Sequence, residues 1–204
     1  MKVTKLESVT KTKYKVYLDE QFAFVLYKGE LSRYKIQEEQ ELSQEVVGQI
    51  KDDVLKKRAK LRAMHLLNHM DRTEQQLRDR LKRDLYSEDI IEIAIQYVKS
   101  FGYIGDRGYA RRYVESKQNV KSRAEIKMAL MQKGISKDII QSVLEDCYEE
   151  QDELSTIRRI LEKKRFVEDT ATDVEKKKMF EYLLRKGFHY DDIRQVIQVS
   201  FGNA

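Results

Sequence analysis

One short pattern recurs three times in this 204-residue chain, and that repetition does more than any other feature to limit its possible folds. Leu77 to Ile91, LRDRLKRDLYSEDII, aligns without gaps to Ile126 to Ile140, IKMALMQKGISKDII, at an offset of 49 residues. The third copy, FEYLLRKGFHYDDI from Phe180 to Ile193, places Gly187 53 residues after Gly134. Each copy reads as a helix, a tight turn at Gly or its substitute, a polar cap and a second helix. A helix ahead of each copy completes a unit of three. A unit of ~50 residues buries little surface by itself, so such units are expected to stack in tandem into an elongated, curved array.

The apolar spacing supports helices throughout this region. Ala59, Ala63, Leu66, Leu67 and Met70 form one stripe, and Leu77, Leu81 and Leu85 another. Ile90, Ile91, Ala94, Ile95, Val98 and Phe101 make a wide face, as expected of the most buried helix of its group. Tyr109, Ala110, Tyr113 and Val114 open the second set, which Ile139, Ile140, Val143, Leu144 and Cys147 close. The third set runs from Leu154 through Phe180 and Leu184 to Ile197. Thr73 with Gln76 and Ser122 with Glu125 fit the capping box, while Ser87, Asp106 and Ser136 are simpler helix starts. Proline is absent and only 8 residues are glycine, which suits long helices.

The first quarter follows another rule. Tyr14 to Leu18 and Phe22 to Leu26 are β-branched and aromatic runs separated by Asp19-Glu20-Gln21, which reads as a hairpin within about three small strands. Leu42, Val46, Val47 and Ile50 then share a helix face. The expected division is a small α/β segment over 1–55 and three-helix units over 56–105, 106–151 and 152–204. The fold class is mainly α.

The net charge is only +5, but its distribution is uneven. Residues 56–84 hold 10 basic and 4 acidic groups, whereas 137–156 hold 1 basic and 7 acidic. Arg78, Arg80, Lys82 and Arg83 follow Lys56, Lys57, Arg58, Lys60 and Arg62. Arg111, Arg112, Lys117, Lys121 and Arg123 form a second cluster with only Glu115 among them. Either cluster is a footprint for phosphate or for an acidic protein face, or else a solvated helix surface.

Catalytic chemistry finds no foothold. Glycines fall at helix ends and form no phosphate loop, and adjacent carboxylates such as Asp52-Asp53 point apart on a helix. His65 and His69 have zinc-compatible i,i+4 spacing but lack both the protease Glu and a third ligand. Cys147 continues an apolar stripe, and as the single cysteine it suits a reducing compartment. The apolar stretches Phe22 to Tyr27 and Ile90 to Val98 are too short to span a bilayer. The expectation is a cytoplasmic binding protein with no catalytic residues, cofactor or metal.

Phe101-Gly102-Tyr103-Ile104-Gly105-Asp106, followed by Arg107-Gly108-Tyr109-Ala110, resembles the signature of the RecX family. Gly105 stands where that family commonly has Asp, and Tyr109 where it commonly has Phe. Lys133-Gly134-Ile135 resembles the family's middle segment, and Leu184-Arg185-Lys186-Gly187-Phe188 with Asp192-Ile193 its closing one. The β-rich start, with Tyr17-Leu18-Asp19 and Phe22-Ala23-Phe24, is similar to members from Gram-positive bacteria. The resemblance implies a regulator of RecA that docks in the groove of the RecA–single-stranded-DNA filament. It would limit filament growth, ATP hydrolysis and strand exchange, and so act on homologous recombination, DNA repair and the SOS response. The contact candidates are the nine cations from Arg78 to Arg123 named above, on a protein expected to be monomeric, with weak direct DNA contact as an accessory. Two alternatives remain: a direct DNA-binding protein built of helix-turn-helix-like units, and a helical scaffold for another partner.

Overall fold

The computed structural model describes residues 1–147 and 152–198, which fall into two compact units, Met1–Gly105 and Asp106–Ala204. In the first unit, β1 (Val3–Thr10), β2 (Lys13–Leu18) and β3 (Gln21–Tyr27) form an antiparallel sheet in that order. Asp19 and Glu20 turn the second hairpin with φ of 47° and 69°, the two left-handed positions of a tight two-residue turn. Val16, Phe24 and Leu26 bury one side of the sheet.

The sheet leads through α1 (Lys28–Arg33) to α2 (Gln44–Ile50), which Ser43 caps by accepting from the Val46 amide. A π-helical turn over Lys51–Leu55 carries the chain from α2 directly into α3 (Lys56–His69). Packed with it are α4 (Glu74–Arg83) and α5 (Glu88–Ser100). One continuous core joins Val3, Val16 and Leu26 of the sheet to Ile50, Ala59, Leu81 and Ile95 of the helices.

In the second unit, α6 (Asp106–Lys117), α7 (Arg123–Gln132) and α8 (Lys137–Cys147) enclose Ala110, Val114, Ile126, Leu130, Ile140 and Leu144. A separate small core of Ile157, Phe180, Leu183, Phe188 and Ile193 lies among α9 (Asp152–Lys163), α10 (Asp173–Arg185) and α11 (Tyr190–Val196). The mainly helical expectation, with three tandem three-helix groups and a small β segment, is met.

The repeat has a common backbone cause. Leu85, Gly134 and Gly187 occupy the same place in the three copies, with φ of 67°, 80° and 82°. At each, the next amide closes the helix end: Tyr86 to the Leu81 carbonyl, Ile135 to Leu130, and Phe188 to Leu183, all at 3.2 Å. This is the Schellman closure, with a hydrophobic residue following the left-handed one.

Several local expectations change: Leu42 lies ahead of α2 and not on its face, and Met70 follows α3 in extended backbone, 57% exposed. Phe101 leaves the buried face of α5, being 56% exposed at the helix end, because Gly102 turns the chain there with φ +68°. Leu85 is no part of the α4 stripe, since the helix closes at Arg83. The capping box holds at Thr73 and Gln76, but at Ser122 only half of it forms. The Ser122 hydroxyl accepts from the Glu125 amide, while the Glu125 carboxylate turns to Lys186 Nζ at 3.0 Å.

Candidate functional site

The first basic cluster lies in the first unit, where the fold spends much of its charge internally. Arg58 meets both oxygens of Glu30 at 2.6 and 2.7 Å, donates to the Val25 carbonyl and stacks over Tyr27. Arg62 pairs with Asp84 at 2.7 Å, and Arg80 reaches the same carboxylate at 3.7 Å. Arg78 is held by Glu74 and Glu92, at 2.7 and 2.6 Å, with Glu88 at 3.6 Å. Lys99 also pairs with Glu74. Lys82 and Arg83 differ: both are exposed at the C-terminal end of α4, with no ion pair among the described residues.

Arg58, Arg62 and Asp84 line a cleft of about 440 Å³ with Lys13, Tyr27, His65 and Tyr86. Burial pushes the Tyr86 hydroxyl up to about 12, so it stays protonated there. Because its arginines already bind Glu30 and Asp84, this cleft offers little unspent positive charge. His65 and His69 are exposed with their Nε2 atoms 3.2 Å apart. Among the described residues, no group of three His, Cys, Asp or Glu is placed to hold a metal. Cys147 is half-buried against the α6–α8 core, and burial pushes its thiol up, away from the reactive thiolate.

The second basic cluster is in the second unit. Arg111 and Arg112 are exposed on α6, but Asp146 of α8 lies 3.2 Å from Arg111 and 2.8 Å from Arg107. Arg112 folds back along its own helix, its Nη1 being 3.4 Å from where a Cβ on Gly108 would stand. Lys117, Lys121 and Arg123 are half-buried near the α6–α7 turn. Tyr109 and Tyr113 pack partly against the core with near-parallel rings, and Lys133 lies 5.7 and 5.5 Å from their centres.

The turn between α6 and α7 does structural work, because it meets the last helical group. Ser122, fully buried, donates to the Lys186 carbonyl at 2.5 Å. Buried Thr156 donates to the Gln118 carbonyl at 2.7 Å, and the Arg123 amide donates to Glu153 at 2.6 Å. A Cβ on Gly187 would come within 2.8 Å of the Ala124 Cβ. The two small cores are thus joined by buried polar bonds and a close backbone approach.

A third cationic group goes unnoticed in the sequence because acidic neighbours cancel it on average. Arg158, Arg159, Lys163, Lys164 and Arg165 share their eight-residue stretch with one acid, Glu162. Lys176, Lys177, Lys178, Arg185 and Lys186 follow on α10 and its end. The fold draws Arg159, Lys163, Lys164 and Lys186 around one cleft. A local count over 158–165, five basic to one acidic, is the signal that could have found it.

Comparison with known proteins agrees with this architecture. Family models for the first, second and third three-helix domains of RecX match residues 59–97, 106–144 and 150–197. A regulatory protein RecX from Caldanaerobacter subterraneus subsp. tengcongensis is 33% identical over 190 residues, covering 93% of this chain and 94% of that one. One from Clostridium botulinum is 31% identical over 203 residues, covering 97% and 95%. A crystal structure of regulatory protein RecX superposes with a TM-score of 0.61 at 24% identity, over 97% of this chain and 98% of the other. The RecX structure from Lactobacillus salivarius gives 0.59 at 25% identity, over 71% and 95%.

Proposed function

This chain belongs to the RecX family, and from that membership we propose that it is a non-catalytic modulator, mainly an inhibitor, of RecA in the cytoplasm. It binds in the groove of the RecA–DNA filament and limits filament growth, ATP hydrolysis and strand exchange. The observation that carries the reading is the ordered match of all three RecX three-helix domains along one chain.

The site geometry supports a division of labour among the cations. Arg78 is committed to Glu74, Glu88 and Glu92, so it serves the fold. Exposed Lys82 and Arg83, with no ion pair among the described residues, are better placed to meet an acidic RecA face or phosphate; Arg111 and Arg112 are exposed as well, with Arg111 beside Asp146. Exposed charges steer encounter and set its salt dependence more than they set affinity.

The test is RecA's single-stranded-DNA-dependent ATPase with the chain added substoichiometrically. The expected result is a progressive loss of ATPase. Reversing both Arg111→Glu and Arg112→Glu is expected to weaken that inhibition without loss of helicity by circular dichroism. Unchanged ATPase with the wild-type chain, even at equimolar amounts, overturns the reading.

A further inference from the structure

The cleft between the α6–α7 turn and the last helical group is lined by Asn119, Val120, Arg159, Ile160, Lys163, Lys164, Tyr182 and Lys186. Its volume is about 580 Å³. Four of its eight lining residues are cations, and none is a carboxylate. Arg159, Lys163 and Lys164 are exposed and make no ion pair among the described residues, whereas Lys186 pairs with Glu125. Arg58, Arg62 and Arg78 in the first unit are each satisfied by a carboxylate of the fold. Cations drawn around a cleft without compensating acids repel one another, and an anionic ligand relieves that repulsion.

The favourable end of a helix dipole accounts for part of this charge, since Lys163 and Lys164 sit at the C-terminal end of α9. The C-terminal end of α10 favours Lys186, its C-cap, in the same way, but neither dipole accounts for Arg159, one turn earlier in α9. Apart from Asn119, the rest of the lining is largely apolar and open. Val120 is 54% exposed, and half-buried Ile160 and Tyr182 lie beside it. Lys164 Nζ stands 4.2 Å from the Tyr182 ring centre and Lys186 Nζ 6.0 Å.

Lys164 and Tyr182 also border a second cleft of about 520 Å³, with Arg165, Phe166, Lys178 and Met179. Its one carboxylate, Glu175, is tied to the Thr172 amide and hydroxyl at 2.9 and 2.8 Å. The two clefts therefore meet at Lys164 and Tyr182 and make one track of cations over apolar side chains.

We propose that this track binds single-stranded nucleic acid, with phosphates on Arg159, Lys163 and Lys164 and unstacked bases against Tyr182, Val120 and Ile160. A cationic groove interleaved with aromatic and apolar surface is how sequence-tolerant single-strand binding is built. A duplex would use the cations alone, because its bases are stacked inside. An acidic peptide is the poorer fit: its carboxylates would use the cations but leave Tyr182, Val120 and Ile160 without the flat ring faces that unstacked bases supply. The site is independent of the RecA reading, and its test contains no RecA.

The experiment is fluorescence anisotropy of a labelled 25-nucleotide oligo(dT) with the full chain, titrated at several salt concentrations. The double variant Lys163→Gln, Lys164→Gln is expected to bind about tenfold more weakly at low salt, with the slope of log K against log salt reduced by about 1.4. Tyr182→Leu is expected to weaken binding about fivefold with the slope unchanged. A control pair in the first unit, Lys11→Gln with Lys28→Gln, should change neither quantity. The lysines are exposed, so circular dichroism and melting of their double variant should match wild type. Wild-type affinity and slope in the lysine double variant overturn the proposal. So does tighter binding of a labelled poly-glutamate peptide, or of a 25-base-pair duplex, than of oligo(dT).

Discussion

Leu85 holds a backbone conformation that costs a side-chain-bearing residue about 1 kcal/mol, where the other two copies of the repeat place glycine. Its side chain is half-buried and recovers a similar amount, about 1 kcal/mol. Leu85→Gly should therefore leave chemical-denaturation stability within about 0.5 kcal/mol of wild type. Leu81, one turn earlier and fully buried, has no such offset, and Leu81→Ala should cost about 3 kcal/mol. Equal losses at the two positions would contradict this account of the turn.

Glu153 offers a second residue-scale test. Burial raises its carboxyl above the ordinary value, and its Oε2 is buried without a hydrogen-bond partner. A carboxyl that holds its proton more tightly when folded makes the folded state less stable as pH rises from the unfolded value through the folded one. Glu153→Gln keeps an acceptor for the Arg123 amide and removes the buried charge. The variant should melt higher than wild type at pH 7, and the gain should vanish below about pH 4, where unfolded carboxyls are also protonated. A melting temperature unchanged or lowered at pH 7 would go against it.

At the scale of elements, the glycines that end helices are not equivalent. Gly102 and Gly187 both have positive φ, but a Cβ on Gly102 would meet nothing within 4 Å. On Gly187 it would meet the Ala124 Cβ at 2.8 Å and the Ser122 Oγ at 3.2 Å. Gly102→Ala should cost about 1 kcal/mol for backbone strain alone. Gly187→Ala should cost about 2–3 kcal/mol, because it adds a steric clash where the α6–α7 turn meets the α10–α11 turn. Similar costs in urea unfolding would remove the close approach as a feature of the second unit.

The same comparison shows why some elements are readable in a sequence and others are not. Helix existence, the threefold repeat and the Thr73 box follow from spacings of a few residues, and these survive folding. Phe101 was expected on the buried face because its spacing continues the Ile90–Val98 stripe, but Gly102 ends the helix just beyond it. The Ser122 box fails in half because Glu125 finds a better partner 61 residues away, in Lys186. Likewise, Arg78 looks like a free cation until Glu92 comes alongside from α5, and Arg111 until Asp146 does from α8. Charge partners set by tertiary contact lie beyond local pattern, so the candidate site was the least legible part. The cationic cleft around Tyr182 is partly legible, since residues 158–165 carry five basic groups to one acid, but its full lining comes from three separate stretches of chain.

For the whole molecule, tandem three-helix groups offer repeated binding surfaces, which suits the proposed role of occupying a polymer. The net charge of +5 is small, so the proposed association with a polyanionic filament would rest on local clusters. Weak direct DNA contact would then add to, and not replace, binding to RecA, as linked sites raise overall avidity. The most direct measurement is the length distribution of RecA filaments on long single-stranded DNA, imaged by electron microscopy with and without the chain. Substoichiometric addition is predicted to shorten the filaments and to leave the chain associated with them on sedimentation. Filaments of unchanged length, with the chain remaining in the supernatant, would contradict a RecA-regulating role.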